Sequence, residues 1–392
     1  MLKQVILGDF VIPISYIESL NIVESIYSPI ATGIIVLNDS GFAEKCLKHK
    51  DFNINIIFGD NTTDLDYFIS FNVHAFDTTE YDTKNNMVNK RLLKFSSHYS
   101  IKLLTDDTYL NYQKLSSSQM IKNICNLLNV KTNLLTSTSF KWDFVSPNCN
   151  LNESIKYITK RTIDNNSNGG FLFFPDIFSC KVNFLNYYNL LDSVIGMYNY
   201  VLLSDTNDDN YIGKIIDIKI VKEFNALREF SKGLNNTNMV GFDVKTGKII
   251  NDKTLIDSII KSNDKIYGYF PVDKNDISSG LNVDIRTLSS EYFIKCEKSQ
   301  KYNDMLMNQL VLEILLNGDY NRRLGMLTTI ATNIYANNNE TNTRTIDPKI
   351  SGTFLISDIE HFWSNNIYQQ KIKTIKCGYS KMFSDKGLLK IS

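Results

Sequence analysis

The chain has 392 residues, a length that predicts two to four domains. Its 42 Lys and Arg residues balance its 42 Asp and Glu residues, so a global attraction to nucleic acid or to an anionic membrane is not expected. The six cysteines are scattered without a CxxC pair, which indicates reduced thiols in a cytosolic setting. We expect no signal peptide, because Gly8 and Asp9 break the first apolar run, and no membrane span.

Residues 1–105 predict a first β-rich unit. Strand-like patterns of apolar, β-branched and aromatic residues recur along it, separated by turn residues. They cover Gly33–Leu37, Phe52–Phe58, Tyr67–Phe76 and Arg91–Ser100. A short helix is predicted at Phe42–Leu47.

The pattern of residues 106–205 predicts an insert that contains helices. Ser116–Gln119 has the spacing of a capping box, and the apolar residues that follow it share one helical face. A second helix is predicted to begin near Asn152, a residue type that caps helices well. Gly170–Phe174 then predicts a buried strand. The insert is therefore of mixed α/β type.

The rest of the chain predicts a second β-rich unit that is interrupted by another insert. Residues 206–250 and 322–392 form the unit, and residues 251–321 form the insert. Lys298–Asn317 has the strongest helical pattern of the chain, so we expect the insert to end in a long helix. Strict alternation at Lys349–Tyr379 predicts a closing β-hairpin.

The sequence contains no recognisable catalytic or metal-binding motif. No HxH, HExxH or Cys/His cluster is formed by the four histidines, His49, His74, His98 and His361. Asp205–Asp209 begins like a calcium loop, but Asn210 stands where the loop needs glycine. A phosphate loop and a nucleophile elbow are also missing. We therefore expect no enzymatic activity, no cofactor and no metal.

Three segments match one family pattern in order and spacing. Ser28–Ser40 has the pattern of an opening strand pair and turn. Asn152–Ile155, followed by Gly169–Phe174, has the pattern of a helix that leads into a strand, and Ser351–Ile356 begins a closing hairpin. Together they resemble the central baseplate hub proteins of contractile-tailed, T-even-like bacteriophages. The hub part of type VI secretion spikes is a more distant relative.

The resemblance implies an α+β, mainly β fold, with two tail-tube-like antiparallel β-barrel domains and helix-containing inserts. It implies a homotrimer that forms a pseudo-sixfold ring and adapts the sixfold tail tube to the threefold central spike. Implied partners are the tail tube protein, the spike protein, baseplate wedge proteins and the tape measure protein. DNA would pass through the lumen without specific binding during genome ejection. The location would be the virion baseplate, after assembly in the host cytoplasm.

Two other functions stay open at the level of sequence. A hub or spike component of a type VI-like secretion or contractile injection machine would share the fold, and a fused needle or effector domain would distinguish it. A cell-wall hydrolase of the tail tip is disfavoured by the missing catalytic motifs. For an assembly role, we expect interface residues on the exposed faces of the tube-like strands, namely Phe354, Ile356, Ile372 and Lys373.

Overall fold

The structure is a computed structural model. It describes residues 2–38, 53–59, 66–82, 87–146, 149–166, 168–192, 194–201, 215–223, 225, 236–243, 246–255, 282–286, 291–331, 333–335, 344–346, 350–365 and 367–377. Two predicted features, the helix at Phe42–Leu47 and the turn at Asp205–Asp209, lie outside these residues.

The first unit is a run of antiparallel strands, as predicted. They are β1 (Leu2–Leu7), β2 (Phe10–Ile12), β3 (Ile17–Ser25), β4 (Thr32–Asn38), β5 (Asn53–Gly59), β6 (Asp66–Asp82) and β7 (Met87–Ser97). Period-two patterning is clear in β4, where Gly33, Ile35 and Leu37 are buried and the residues between them are not. Because successive side chains of a strand point to opposite faces, one face of β4 enters the core.

The insert that follows is of mixed type, as expected. Its elements are α1 (Ser100–Thr105), β8 (Asn111–Ser116), α2 (Ser117–Leu127), β9 (Lys131–Leu135), β10 (Lys141–Val145), α3 (Leu151–Lys160), β11 (Phe171–Asp176), β12 (Lys181–Asn186), α4 (Tyr187–Leu191) and β13 (Met197–Val201). The predicted buried strand at Gly170–Phe174 corresponds to β11, which pairs with β12 along its whole length.

Side-chain caps start the two main helices of the insert. The predicted capping box of α2 is confirmed: the Gln119 amide N–H donates to Ser116 Oγ (3.4 Å) and the Ser116 N–H donates to Gln119 Oε1 (3.1 Å). For α3 the cap is Asn150, whose Oδ1 accepts from the Glu153 N–H at 3.0 Å. The prediction of Asn152 as the cap was wrong, because Asn152 already lies in the first helical turn.

The remaining elements lie in the stretch that the sequence predicts as the second unit and its insert. They are β14 (Ile215–Lys222), β15 (Asn236–Asp243), β16 (Lys248–Leu255), β17 (Asn282–Arg286), α5 (Glu291–Met307), β18 (Leu310–Asn317), β19 (Leu327–Ala331), β20 (Asn333–Tyr335), β21 (Arg344–Ile346), β22 (Gly352–Ser364) and β23 (Ile367–Lys376). The closing hairpin predicted at Lys349–Tyr379 is the β22–β23 pair.

The long helix predicted at Lys298–Asn317 is only half present. The helix α5 ends at Met307, and residues 310–317 form the strand β18 instead. Leu310, Leu312, Ile314 and Leu316 are all buried, and this is a period of two. The same stretch also offered apolar residues at helical spacing. Pairing of β18 with both β14 and β23 decides between the two periods, because it satisfies the backbone on both edges.

One large sheet contains strands of both units. Its order is β14-β18-β23-β22-β3-β4-β7-β6-β5-β1-β2, with β19 joined to β22 and β13 joined to β19. Every pair along the main path is antiparallel, so the mainly β class is confirmed. The described strands follow an open path and form no closed barrel.

Apolar side chains of the described residues pack into three clusters. The first unit packs around Phe58, Phe71 and Phe95, the insert around α2, α3 and β11, and the second unit around β18, β22 and β23. Burial of each large side chain contributes about 1.5–3 kcal/mol. The first cluster also includes Trp363 of β22, so the two units share part of one core.

Candidate functional site

The two units meet along a strand pair that we call the seam: β3 and the Asp358–Ser364 part of β22. Seven residue pairs join them, from Asp358 opposite Ser25 to Ser364 opposite Ser19. The seam makes one continuous sheet from segments that lie near opposite ends of the chain. It has a core side, which faces the interior, and a solvent side.

A chain of hydrogen bonds crosses the core side of the seam. Arg322 Nη1 and the Asp319 N–H both donate to Gln370 Oε1. Gln370 Nε2 then lies 3.2 Å from His361 Nδ1, and His361 Nε2 lies 3.2 Å from Glu24 Oε1. The chain links the loop after β18 to β23, β22 and β3. All of these side chains are buried.

The direction of this chain follows from chemistry. Arginine only donates hydrogen bonds, so the Gln370 oxygen must face Arg322 and the Gln370 amide nitrogen must face His361. Nδ1 of His361 therefore accepts, and Nε2 carries the proton that is donated to Glu24. The Tyr368 hydroxyl lies 2.9 Å from Nδ1, on the side of the ring where Nδ1 accepts a hydrogen bond. Gln370 Nε2 also donates to the Tyr368 hydroxyl at 2.7 Å, and that hydroxyl can donate its own proton to Nδ1. These contacts all fit one neutral tautomer of His361.

Burial sets the protonation of this pair. It lowers the pKa of His361 to about 3, and the charges of Arg323 and Arg322 act in the same direction. Burial also raises the pKa of Glu24 well above its usual value, and Asp176 adds to this, while Arg323 opposes it. His361 is therefore neutral at neutral pH, and its hydrogen bonds position the strands of the seam.

Stacked rings extend the same contact between the units. Trp363 stacks on Phe58 at 4.4 Å and on Tyr368 at 4.5 Å between ring centroids. Tyr320 continues the stack from Tyr368 at 4.7 Å and reaches Tyr67 at 5.3 Å. Offset aromatic pairs of this kind each add about 0.5–1.5 kcal/mol beyond area burial. The stack ties β5 and β6 of the first unit to the closing hairpin.

The insert reaches the same place through the turn between β11 and β12. The Arg323 guanidinium lies 4.1 Å from the ring centroid of Phe178 and 5.8 Å from that of Tyr67. Phe178 also contacts the ring of His361 edge-on at 5.6 Å. Cation–π contacts gain strength when water is excluded. The seam is therefore a junction of all three parts of the chain.

Opposite charges face one another on the solvent side of the sheet. Lys373 lies between Asp358 and Glu313 in the strand register. Lys371 Nζ lies 3.0 Å from Glu313 Oε1. Exposed pairs of this kind contribute little to stability. Their consequence is a surface whose charge is locally balanced.

Three apolar side chains interrupt this polar surface at the seam. Val23, Ile34 and Phe362 are 41%, 39% and 39% exposed. Phe362 and Ile34 lie on either side of Asn21 in the register of β22, β3 and β4. Exposed apolar residues that group on one surface mark contact sites more often than single ones do.

Three of the four predicted interface residues are not exposed. Phe354, Ile356 and Ile372 are buried inside the single chain, so the expectation that they occupy exposed faces was wrong. Their alternation was correctly identified, but the apolar face of each strand points into the core of the second unit. Lys373 is half-exposed on the solvent side, where a partner could reach it.

Sequence reasoning missed the buried network and the exposed apolar group. Leu20, Ile22 and Glu24 have period-two spacing, so a carboxyl group on the core face was a readable sign of a buried partner. Nothing local identified that partner as His361. Val23, Ile34 and Phe362 alternate with core residues of the same strands. Their exposure could therefore be predicted only after the core face of each strand had been assigned.

Both ends of the continuous sheet carry exposed apolar residues. On β14, at one end, Ile216, Ile220 and Val221 are exposed, and at the other end so are Val11 of β2 and Ile14 just after it. Among the described strands, β14 and β2 each have a single neighbour in the sheet. A strand edge with no described neighbour is a template for pairing with another chain.

Other kinds of site find no support in the described residues. They contain no group of three or more His, Cys, Asp or Glu residues that could hold a metal ion. No helix among them is long and apolar enough to cross a membrane. The five cysteines that the structure describes are free thiols.

Comparison of the sequence with protein-family models and with curated proteins gave no match. Solved structures do match. A tail protein of Neisseria meningitidis MC58 is 9% identical with a TM-score of 0.59, and 95% of each chain is covered. The 43 kDa tail protein of prophage MuSo2 from Shewanella oneidensis is 10% identical with a TM-score of 0.57, over 95% of this chain and 97% of that one. A type VI secretion system component of E. coli is 9% identical with a TM-score of 0.48, over 93% and 75%.

The first two matches cover the chain almost from end to end. At these identities they establish a shared fold and no more. The chain has the fold of phage tail proteins, so the expected mainly β, tail-protein fold is confirmed, while the two tube-like barrel domains stay a prediction.

Proposed function

We propose that the chain is the structural hub of a contractile phage tail baseplate. Three copies would form a ring that joins the sixfold tail tube to the threefold central spike. The observation that carries this proposal is the continuous sheet, which runs through both β units and, among the described strands, is open at both ends. The end-to-end likeness to two tail proteins supports it.

The open sheet favours a head-to-tail ring. Its two ends are different surfaces, β14 at one and β2 at the other, so a contact between copies that uses both ends is heterologous. Such contacts close into a ring when the rotation per subunit fits. Joining β14 of one copy to β2 of the next would cover Ile220 and Val11 and satisfy both backbone edges.

Two β units in each chain would give the ring six similar positions. We assign residues 1–105 to the first tube-like domain, and residues 206–250 with 322–392 to the second. Residues 106–205 and 251–321 are the inserts. The two separate core clusters support two β units, and β18 at the end of the second insert packs into the core of the second unit. Six near-equal surfaces would match the tube, while the threefold symmetry of the ring would match the spike.

The solvent side of the sheet would line the lumen of the ring. Its paired charges, such as Lys371 with Glu313, leave little net attraction for a phosphate backbone. DNA would therefore pass during genome ejection without specific binding, and the tape measure protein would occupy the lumen before that. Wedge proteins would bind the outside of the ring. The hub would be assembled in the host cytoplasm, reside in the virion and have no enzymatic activity.

Cysteine crosslinking tests the head-to-tail contact. A Val11→Cys/Ile220→Cys chain, treated with a short bifunctional maleimide, is expected to give covalent dimers and trimers and no larger species. Each single variant alone should give no crosslink through its new thiol, because a heterologous contact never brings two copies of one position together. A mixture of the two single variants should give dimers only.

The wild-type chain is the matched control, since it contains the half-buried native thiols Cys149 and Cys180. Dimers from a single variant would point to a twofold contact and overturn the ring. A ladder that continues beyond three chains would also overturn it, as would a double variant that gives no crosslink.

A further inference from the structure

A cleft of about 200 Å³ lies between the turn after β3 and the elements α3, β11 and α5. Its wall is mostly apolar and is formed by Ile26, Pro29, Ile155, Phe171, Leu172 and Phe173. A dry apolar cavity of roughly 150 Å³ holds a benzene ring, whereas pockets for whole small molecules measure about 300–1,000 Å³. The cleft therefore has the size of one large side chain.

Two cations stand on one rim of the cleft. Lys156 and Lys160 are both exposed and lie four residues apart on α3, so their side chains share one helical face. Within the described residues, no carboxylate lies in ion-pair distance of either lysine. Glu153 is on the same helix but does not line the cleft.

The opposite rim holds its own carboxylate in hydrogen bonds. Gln300 Nε2 donates to both oxygens of Asp304 at 3.2 Å, and the Tyr187 hydroxyl donates to Asp304 Oδ1 at 3.3 Å. Tyr27 is fixed next to them by Asn308, whose Nδ2 donates to the Tyr27 hydroxyl at 3.1 Å. This rim is preorganised. The charge of Lys160 also acts on Asp304 and opposes the rise in its pKa that burial causes, but the two lysines of the α3 side outnumber the one carboxylate of the lining.

We propose that this cleft binds a partner polypeptide through one aromatic side chain that enters it and an adjacent Asp or Glu that pairs with Lys156 and Lys160. A pocket that buries one aromatic anchor and is bordered by charge has the form of an interface hot spot. The charge of the rim selects an acidic neighbour over a basic one. This docking surface is separate from the sheet ends, so it stands independently of the proposed ring.

Three blocked dipeptides test the proposal on the full-length chain: acetyl-Asp-Phe-amide, acetyl-Lys-Phe-amide and acetyl-Asp-Ala-amide. Their affinities are measured by ligand-detected saturation-transfer NMR. The first is expected to bind about fivefold more tightly than each of the others, the effect of one partly exposed charge pair or one anchored ring. The Lys156→Glu/Lys160→Glu variant should reverse the order of the first two.

A matched control is the Lys122→Glu/Lys131→Glu variant, which changes two exposed lysines of the same insert outside the cleft. It should keep the wild-type order. Equal affinity for the Asp and Lys dipeptides overturns the proposal, as does an unchanged order in the Lys156→Glu/Lys160→Glu variant. A further outcome is that no dipeptide binds and that the Lys156→Glu/Lys160→Glu variant self-associates less than the wild-type chain. The occupant of the cleft is then a second copy of the chain, and the proposal fails.

Discussion

At the scale of single residues, the seam depends on His361 being neutral. Its Nε2–H donates to Glu24, and its Nδ1 accepts from the side of Gln370 and Tyr368. A protonated ring would carry two donors and would face the Gln370 amide with the wrong polarity. The nearby charges of Arg322 and Arg323 would repel it as well.

Replacement of His361 by Gln tests this account through its pH dependence. The folded chain holds the pKa of His361 at about 3, below its ordinary value of 6.5, so the unfolded chain binds a proton first as the pH falls. The contribution of neutral His361 to the free energy of unfolding is therefore fully present above pH 6.5. It is lost as the pH falls below 6.5, by about 1.4 kcal/mol per pH unit. The variant should lack this loss, as measured by urea unfolding between about pH 7 and 5.

A His98→Gln variant is the control for this experiment. Partial burial also lowers the pKa of His98, but this residue is less enclosed than His361, so its effect should have the same sign and be smaller. If the wild-type and His361→Gln chains lose stability in parallel over this range, the neutral-histidine account of the seam is wrong.

At the scale of elements, the close packing of β4 depends on Gly33. A Cβ atom added there would overlap the Phe95 ring and lie 2.7 Å from the backbone oxygen of Asn21. Gly33→Ala is therefore expected to reduce the free energy of unfolding by about 1–3 kcal/mol, the usual cost of overpacking. Chemical denaturation of the purified variant measures it.

A double-mutant cycle identifies the cause. Phe95→Leu in the Gly33→Ala background should cost less than Phe95→Leu alone, because the smaller side chain relieves the overlap. Thr32→Ala, at the exposed neighbouring position, should change stability by less than about 0.5 kcal/mol. Equal effects of Gly33→Ala and Thr32→Ala would contradict the packing argument.

Sequence patterns predicted the elements well where one period dominated. The β22–β23 hairpin and the capping box at Ser116 follow from alternation and spacing within a few residues. The stretch after Met307 was misassigned because its leucines and isoleucines satisfy helical and strand spacing together. Only the neighbours β14 and β23, which are distant in sequence, resolve that ambiguity.

At the scale of the whole molecule, the seam could not be read from the sequence. Its strands are separated by more than three hundred residues, and either would pair equally well with a nearer strand by local pattern alone. Three of the four predicted interface residues were expected on an exposed face for the same reason. Phe354, Ile356 and Ile372 were correctly identified as one apolar face, but which face is covered depends on packing across the chain.

The open sheet leads to the central claim, which is a ring of three copies. Two units fused at the seam give each chain one continuous wall, and the exposed residues at its two ends are the surfaces that a closed ring would cover. The buried hydrogen-bond network and the stacked aromatic side chains at the seam would then keep the angle between the two units constant in every copy. A fixed angle is what allows repeated heterologous contacts to close into a ring.

Native mass spectrometry of the full-length chain at micromolar concentration tests that claim most directly. The account predicts a complex with the mass of three chains of 45.0 kDa each. It also predicts that Ile220→Glu, which places a charge at the β14 end, shifts this complex toward single chains. A wild-type chain that is found only as a 45.0 kDa monomer would contradict the account.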